Sequence, residues 1–374
     1  MANKCRFCAT DISKHPIISI ENQALSAQGF ASSREIALRN MNIEIYECEA
    51  CGLIQHLHSP VPYYKDVIRA VAYSKEMKNY RNNQFKEFCD TYKLHKRTIL
   101  EVGAGQGEYL ELFRDIGVED LYAIENGKEN FSALRNKNFN AARKFLGKNF
   151  NNPWEKQFDA IVTFNFMEHW PDLKSGLVNI RNLLKNDGVA LLEVPNFDYM
   201  VKNDVYSEFT IDHVFYFTEQ SLRTILSVAG FEIIQIKSIW HDYILSAEVR
   251  KRAGSNLNSL RQKKEDDKLG LIEYLRSRTG RTVVWGAGHQ SLSILSMVEA
   301  QNYVEFVVDS APFKQNMFCP GTGLPIYPPD HLLENVPETL IIMAAAYSDE
   351  VLTTVKDMYP HIKEVRIFDH NGWR

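Results

Sequence analysis

Apolar runs of strand length alternate with helical patterns through most of the chain, in two separate blocks. Helical patterns lie between the four predicted strands of the first block, Thr98–Val102, Leu121–Glu125, Phe158–Phe164 and Gly188–Val194. A terminal hairpin is predicted from Phe231–Ile239 and Tyr243–Val249. The second block predicts four further strands, Thr282–Trp285, Val304–Val308, Thr339–Ala344 and Glu364–Phe368. This alternation is typical of a parallel α/β sheet, so each block predicts one α/β domain.

Three zones divide the 374 residues, a length that allows two to three domains at about 150 residues each. Residues 1–70 carry no strong period, and we interpret them as a small N-terminal domain. The first block is assigned to a domain at 71–250, and the second block to a smaller domain at 251–374. A polar, highly charged stretch opens the third zone and predicts a solvated linker helix at 250–272.

The overall composition is that of an ordinary globular protein, with 45% hydrophobic and 24% charged residues. The net charge of −4 offers no basic excess for a nucleic-acid backbone, so no nucleic-acid partner is expected. The N-terminus shows no apolar signal region, and no apolar run reaches the length of a membrane span. A cytoplasmic protein without a membrane partner is therefore expected.

Four of the six cysteines fall in the first 51 residues, as two C-x₂-C pairs. The pairs are Cys5 with Cys8 and Cys48 with Cys51. In a reducing compartment such pairs bind metal more often than they form disulfides. Four thiolates complete a closed tetrahedral zinc site with no open position for a substrate, so the predicted zinc is structural.

A glycine loop follows the first predicted strand and leads into a helical pattern. It reads Glu101-Val102-Gly103-Ala104-Gly105-Gln106-Gly107. Glu125 ends the next predicted strand, a position where a carboxylate can accept hydrogen bonds from the ribose hydroxyls of an adenosine. The spacing G-x-G-x-G with a preceding acid resembles motif I of class I S-adenosylmethionine-dependent methyltransferases, and not the dinucleotide fingerprint G-x-G-x-x-G. The resemblance implies a cofactor held by Glu101, Gly103, Ala104, Gly105, Gly107 and Glu125.

A second segment carries the same resemblance. Phe158-Asp159 opens an apolar run that ends in Asn165-Phe166-Met167-Glu168-His169, and the turn Lys185-Asn186-Asp187-Gly188 comes later. Both are similar to segments of many methyltransferases. The resemblance implies that Asn165 and Phe166 line the cofactor cleft, together with Tyr73, for which Tyr63 and Tyr64 are alternatives.

The order of zinc-binding pairs, methyltransferase core, linker and second α/β domain resembles the three-domain nucleotide-sugar C-methyltransferases. Two stretches of the third zone, 308–315 and 319–326, are also similar to that family. The implied fold is a Rossmann-like methyltransferase core with an N-terminal zinc-binding segment and a second, smaller Rossmann-like domain. The implied reaction is methyl transfer from S-adenosylmethionine to a nucleotide-linked deoxysugar in carbohydrate biosynthesis, at carbon or at oxygen.

The catalytic stretch of that family, Tyr-His-Glu-His, corresponds here to Thr210-Ile211-Asp212-His213. The resemblance implies that His213 is the base, with Asp212 beside it, and that His169 binds the substrate or shares the proton. His241 begins the stretch that replaces the family's His-Gly-Gly-Ser-Leu-Arg and is assigned to substrate binding. No cluster of carboxylates is visible at the cleft, so no catalytic metal is expected.

A second glycine loop, Gly286-Ala287-Gly288-His289, leaves three hypotheses open. It either helps to bind the substrate's diphosphate through Gly286, Gly288, His289 and Lys314, or binds no ligand. With Asp309 at the end of the next strand, it alternatively predicts a nicotinamide cofactor and a sugar-modifying oxidoreductase. For the whole chain, a non-catalytic scaffold that binds S-adenosylmethionine is a third class of function beside the methyltransferase and the oxidoreductase, favoured by the loss of the family's Tyr and His at 210 and 211.

Overall fold

The computed structural model describes residues 3–65 and 74–374, in two compact units that divide after Ala253. The strands of the first unit are β1 (Ile18–Ala24), β2 (Asn40–Glu47), β3 (Ile54–His56), β4 (Thr98–Val102), β5 (Asp120–Ile124), β6 (Asn140–Ala142), β7 (Phe158–Phe164), β8 (Leu184–Pro195), β9 (Phe215–Tyr216), β10 (Phe231–Ile239) and β11 (Ile244–Lys251). Its helices are α1 (Arg34–Ala37), α2 (Lys75–Tyr92), α3 (Glu108–Asp115), α4 (Lys128–Asn136), α5 (Leu173–Leu183), α6 (Phe197–Lys202) and α7 (Glu219–Val228).

The large sheet of this unit has seven strands in the order β10-β11-β8-β7-β4-β5-β6. Strands β4 to β8 run parallel, and the hairpin β10–β11 joins them antiparallel to β8. All seven residues of β7 are buried, as expected for a central strand covered on both faces. Helices α2 and α3 pack on one face of the sheet, and α5 and α7 on the other. The predicted parallel sheet with its terminal hairpin is confirmed.

A smaller antiparallel sheet, in the order β1-β2-β3-β9, links the N-terminal residues to the later chain. Strand β9 lies well beyond β3 in sequence but pairs with it at Ile54↔Tyr216 and Gln55↔Phe215. The paired cysteines also share one hydrophobic core with the large sheet. Residues 3–56 therefore brace the segment that carries His213. The division of this unit at residue 70 into two domains stays a prediction.

The second unit, from Gly254, is a seven-stranded sheet in the order β14-β15-β13-β12-β16-β17-β18. Its strands are β12 (Thr282–Trp285), β13 (Phe306–Val308), β14 (Met317–Phe318), β15 (Pro325–Tyr327), β16 (Thr339–Ile342), β17 (Glu364–Asp369) and β18 (Gly372–Trp373). Its helices are α8 (Asn258–Ser277), α9 (His289–Met297), α10 (His331–Glu334) and α11 (Ser348–Met358).

The central strands β15, β13, β12, β16 and β17 run parallel, which confirms the second α/β sheet. The predicted linker helix at 250–272 is corrected, because α8 begins only at Asn258 and continues to Ser277. Strand β11 extends to Lys251, so residues 250 and 251 of the predicted helix belong to the hairpin instead. Over residues 3–65 and 74–374, every helix is too short or too polar to cross a membrane.

Candidate active site and metal site

The first glycine loop turns tightly from β4 into α3. Gly103, Gly105 and Gly107 have φ values of 77°, 55° and 85°, a region that side chains other than glycine rarely adopt. A Cβ on Gly103 would lie 2.3 Å from Cδ1 of Phe166, so the loop and the end of β7 are in close contact. Ala104 is buried beside them. The absence of a side chain at Gly103 therefore allows the loop backbone to lie directly against the Phe166 ring.

Two buried carboxylates flank this loop. Glu101 lies in β4 and is fully buried. Glu125, the predicted end of this strand, instead follows Ile124, the last residue of β5. Its two oxygens accept hydrogen bonds from the amides of Gly105 at 2.9 Å and Gly127 at 2.8 Å. Glu125 thus fixes the glycine loop to the next strand, at the position where the sequence predicts a ribose contact.

The end of β7 turns sharply into the site. Asn165 has φ 45°, and its amide donates to the carbonyl of Glu193 on β8 at 3.0 Å. A non-glycine residue in this region of backbone space is uncommon and is concentrated at functional sites. Asn165 is exposed and Phe166 is buried, and a 3₁₀-helix at Met167–His169 follows. Glu168 and His169 therefore follow directly after Asn165 and Phe166, the two residues predicted to line the cofactor cleft.

Glu168, His169 and His213 come together at this point. One possible ligand atom from each lies within 4.8 Å of the others, and the two imidazole rings are 5.0 Å apart between centroids. The amide of Val214 donates to the carbonyl of Glu168 at 2.8 Å, which joins the two segments. The sequence therefore identified both histidines, but not Glu168, which it named only as part of a motif.

Burial sets the protonation of this cluster. It raises the pKa of the Glu168 carboxyl to about 8. Burial, together with repulsion from the neighbouring His169 and His56, lowers the pKa of His213 to about 3. The pKa of His169 is also lowered by burial. At neutral pH, His213 is an uncharged ring with a lone pair available.

Asp212 does not direct its carboxylate to these histidines. Its Oδ2 accepts a hydrogen bond from the Tyr63 hydroxyl at 2.7 Å, and its Oδ1 accepts one from the Ala27 amide at 2.7 Å. Only the backbone carbonyl of Asp212 contacts the cluster, 2.8 Å from Nδ1 of His169. Asp212 therefore holds the N-terminal segment against the segment that carries His213, and Tyr63 is its partner in that contact.

Loss of the hydrogen bond between Tyr63 and Asp212 is expected to lower the free energy of unfolding, and the losses from the two single variants should not add. Asp212→Asn replaces one acceptor oxygen by a donor, and Tyr63→Phe removes the donating hydroxyl. Each should cost about 1–3 kcal/mol of the free energy of unfolding. The double variant should cost little more than either single one, because both remove the same contact. Urea unfolding measures this, with Tyr64→Phe, whose ring packs on Phe145, as the matched control. Additive losses would contradict the assignment.

The four paired cysteines form a compact cluster. Sγ of Cys5 lies 3.7 Å from Sγ of Cys51, and Sγ of Cys8 lies 3.5 Å from Sγ of Cys48. Four sulfurs at about 2.3 Å from one tetrahedral zinc lie about 3.8 Å apart. A hydrogen bond from the Cys51 thiol lowers the pKa of Cys5 to about 4, so one thiolate is already favoured. The spacing and the chemistry both fit zinc.

The second glycine loop adjoins a cavity of about 480 Å³ lined by Gly286, Gly288, His289 and Lys314. Gly286 has φ 123°, and a Cβ there would meet the carbonyl oxygen of Met343 at 2.6 Å. Asp309 accepts hydrogen bonds from the Ala287 and Ala311 amides and from Nζ of Lys314, at 2.8, 2.9 and 2.9 Å. Both Lys314 and Asp309 therefore already serve to close this loop.

One predicted residue, His241, lies apart from these clusters. His241 is exposed, with Nε2 3.7 Å from Oε1 of Glu76. It lies in the β10–β11 turn, where Trp240, His241 and Asp242 all have positive φ, a backbone region that residues other than glycine rarely adopt. Tyr73 lies outside the described residues.

Comparisons with known proteins follow the same division of the chain. A methyltransferase domain model matches residues 73–236, and a C-methyltransferase C-terminal domain model matches residues 255–362. The C-methyltransferase NovU of Streptomyces niveus is 22% identical over 301 residues, 69% of this chain and 69% of that protein. An uncharacterized protein of Methanocaldococcus jannaschii is 27% identical over 143 residues, 38% of this chain and 58% of that protein.

Solved methyltransferase structures also align with part of the chain. An S-adenosylmethionine-dependent methyltransferase from Clostridium acetobutylicum aligns at 15% identity and a TM-score of 0.39, covering 51% of this chain and 96% of that one. The CcbJ methyltransferase from Streptomyces caelestis aligns at 14% identity and a TM-score of 0.40, covering 51% and 98%.

The region matched by the methyltransferase domain contains the glycine loop, Glu125 and the two histidines. The chain is an S-adenosylmethionine-dependent methyltransferase. The two matched domains, in this order, confirm its resemblance to the C-methyltransferase family.

Cofactor affinity should depend on Gly103 specifically. Gly103→Ala drives a methyl group into Phe166, and overpacking of this kind costs about 1–3 kcal/mol. We expect the affinity for S-adenosylmethionine to fall about tenfold or more. Gly117→Ala is the control, since Gly117 also has positive φ, 91°, but nothing lies within 4 Å of its Cβ position. Calorimetric titration should show unchanged affinity there, and equal losses in both variants would contradict this reading.

Proposed function

We propose that this enzyme methylates a sugar linked to a nucleotide, and that His213 accepts the proton of the acceptor group. The observation that carries the proposal is a continuous series of contacts from the glycine loop to the histidines. Phe166 packs against Gly103, its ring centroid is 6.4 Å from that of His169, and His169 lies against His213. The proton acceptor is therefore next to the wall of the predicted cofactor cleft.

S-adenosylmethionine supplies the methyl group when it is bound. Glu101, Ala104 and the three loop glycines would enclose its amino-acid end. Glu125 would exchange its hydrogen bonds with the loop for the ribose hydroxyls, and Asn165 and Phe166 would line the opposite wall. Each of these residues lies at the carboxyl end of a parallel strand or in the loop that follows it, where α/β sheets bind ligands.

Methylation at carbon is the form that we propose. The relative NovU is named a C-methyltransferase, and the C-terminal model carries the same description. A carbon next to a ketone must lose a proton before or during transfer, and a neutral imidazole within reach accepts it. His169, held by the Asp212 carbonyl, would orient the substrate or pass on the proton. Asp212 positions this pair through its backbone and its bond to Tyr63.

Zinc at Cys5, Cys8, Cys48 and Cys51 would be structural. The four thiols lie at the spacing of a tetrahedral site, and all six cysteines of the chain are free of disulfides. Reduced, metal-binding cysteines are typical of a cytoplasmic protein. We assign residues 1–70 to a zinc-binding domain that folds against the methyltransferase domain at 71–250.

The second unit would contribute to binding of the nucleotide part of the substrate. The cavity beside Gly286 and Gly288 adjoins the N-terminus of α9, and the ammonium group of Lys314 lies at its edge. A helix N-terminus and a lysine are both suited to a phosphate. His289 is exposed as the first residue of that helix. His241, at the exposed β10–β11 turn, is assigned to the sugar.

The direct test supplies the purified chain with S-adenosylmethionine and a panel of nucleoside-diphosphate-linked 3-keto and 4-keto deoxysugars. We expect S-adenosylhomocysteine to form with at least one keto sugar and with none of the parent sugars that lack the ketone. Nuclear magnetic resonance of the product then separates a new carbon–carbon bond from a methyl ether. Turnover that requires NAD, or no turnover with any member of the panel, would contradict the proposal.

A further inference from the structure

The cluster around His213 has the composition and spacing of a metal site separate from the four cysteines. Glu168 offers one carboxylate oxygen, and His169 and His213 each offer one ring nitrogen, all within 4.8 Å of one another. Two imidazoles with one carboxylate bind zinc and related transition metals. Bonds of about 2.0–2.2 Å to one tetrahedral ion place two ligand atoms about 3.3–3.6 Å apart. The three side chains would therefore have to approach one another by about 1 Å to hold one ion.

The orientation of His169 points to the same conclusion. Its Nδ1 lies 2.8 Å from the backbone carbonyl of Asp212, which can accept only from a protonated nitrogen. The lone pair then resides on Nε2, which faces Glu168 at 3.9 Å from Oε1. In a histidine that binds a metal, the N–H of the other ring nitrogen almost always donates a hydrogen bond to a carbonyl or a carboxylate in this way.

Glu168 supplies an independent observation. Its side chain is 2% exposed, and its Oε2 makes no hydrogen bond. A buried carboxylate oxygen without a partner is costly to keep in a folded protein. A cation at the centre of the cluster would satisfy that oxygen.

We propose that Glu168, His169 and His213 bind one divalent transition-metal ion of the zinc and cobalt class, and that the bound ion blocks methyl transfer. The inhibitory half rests on the proposed function, since the ring nitrogen of His213 cannot hold an ion and accept a proton together. The binding half stands on geometry alone. The ion is thus a reversible inhibitor and not a catalytic metal.

Cobalt titration of the full chain, preloaded with one equivalent of zinc at the cysteines, tests the site. We expect one further equivalent of Co²⁺, visible through d–d absorption without the intense bands of cobalt–thiolate bonds. Glu168→Gln and His213→Asn should each weaken this binding about tenfold or more. His95→Asn is the matched control, because His95 forms another pair with a carboxylate, Nε2 to Oδ1 of Asp90 at 2.7 Å, and should leave binding unchanged.

Each outcome decides one half of the proposal. Absence of the second equivalent, or its persistence in both variants, overturns the metal site. Saturation of the site without loss of methyl transfer overturns the inhibition. If no acceptor is methylated under any condition, the proposed function fails, while the cobalt spectra still decide whether the site exists.

Discussion

A chain with serine at both Cys48 and Cys51 should lose about 5 kcal/mol or more of its free energy of unfolding. Structural zinc contributes about 10–16 kcal/mol of apparent binding free energy in small zinc-dependent domains, and a typical domain is stable by only about 5–15 kcal/mol. The cysteines also belong to the core shared with the large sheet. The loss should therefore spread to β3 and to its pairing with β9.

Metal analysis and urea unfolding measure this effect together. The wild-type chain should carry one zinc per chain at the four paired cysteines, and a strong chelator should reproduce the loss seen in the double serine variant. Cys89→Ala and Cys319→Ala are matched controls at buried cysteines outside the cluster, where we expect losses of about 1–2 kcal/mol from packing alone. Equal losses at all these positions, or a chain free of metal at full stability, would rule out a structural zinc.

Methyl transfer should fall between about 10² and 10⁴-fold in His213→Ala, the range for loss of a positioned acid–base group. His213 lies in the turn before β9, and its ring contacts His169 and Tyr216 at centroid distances of 5.0 and 6.2 Å. Replacement removes the proton acceptor but leaves the glycine loop intact. The affinity for S-adenosylmethionine should therefore remain as in the wild type.

Two further variants make this result specific. His213→Asn keeps a polar side chain of similar size and should be as inactive as His213→Ala, which separates loss of the base from loss of packing. His95→Ala removes an exposed histidine that pairs with Asp90 and should retain full turnover. Unchanged turnover in either His213 variant would show that another group accepts the proton.

Local pattern was sufficient for two central strands that are buried over all or nearly all of their length. Phe158–Phe164 and Thr98–Val102 are observed with the predicted bounds, because a continuous apolar run between polar turns has few alternatives. The cysteine pairs and the first glycine loop were likewise visible, since each is a short motif with fixed spacing. Strand ends were predicted less exactly. Glu125 lies one residue beyond β5, and β8 begins at Leu184 and not at the predicted Gly188, so it includes the predicted turn at 185–188.

Contacts between distant residues were not predictable from the same pattern. The bond from Tyr63 to Asp212 spans 149 positions, and the pairing of β3 with β9 joins similarly distant segments. Residues 1–70 carry no strong period, and their strands β1 to β3 form a sheet that is completed only by β9 from the later chain. Glu168 could be recognised as part of a cluster only in the structure, where the pairing of β3 with β9 holds the segment of His213 beside it.

Proton exchange at the acceptor carbon is the most direct test of the central claim. The wild-type chain is incubated in D₂O with S-adenosylhomocysteine and the keto sugar that it methylates, so that no methyl group can be transferred. We predict deuterium incorporation at the carbon next to the ketone, and none with His213→Ala. Absence of exchange in the wild type, or equal exchange in both chains, would contradict the assignment of His213 as the base for methylation at carbon.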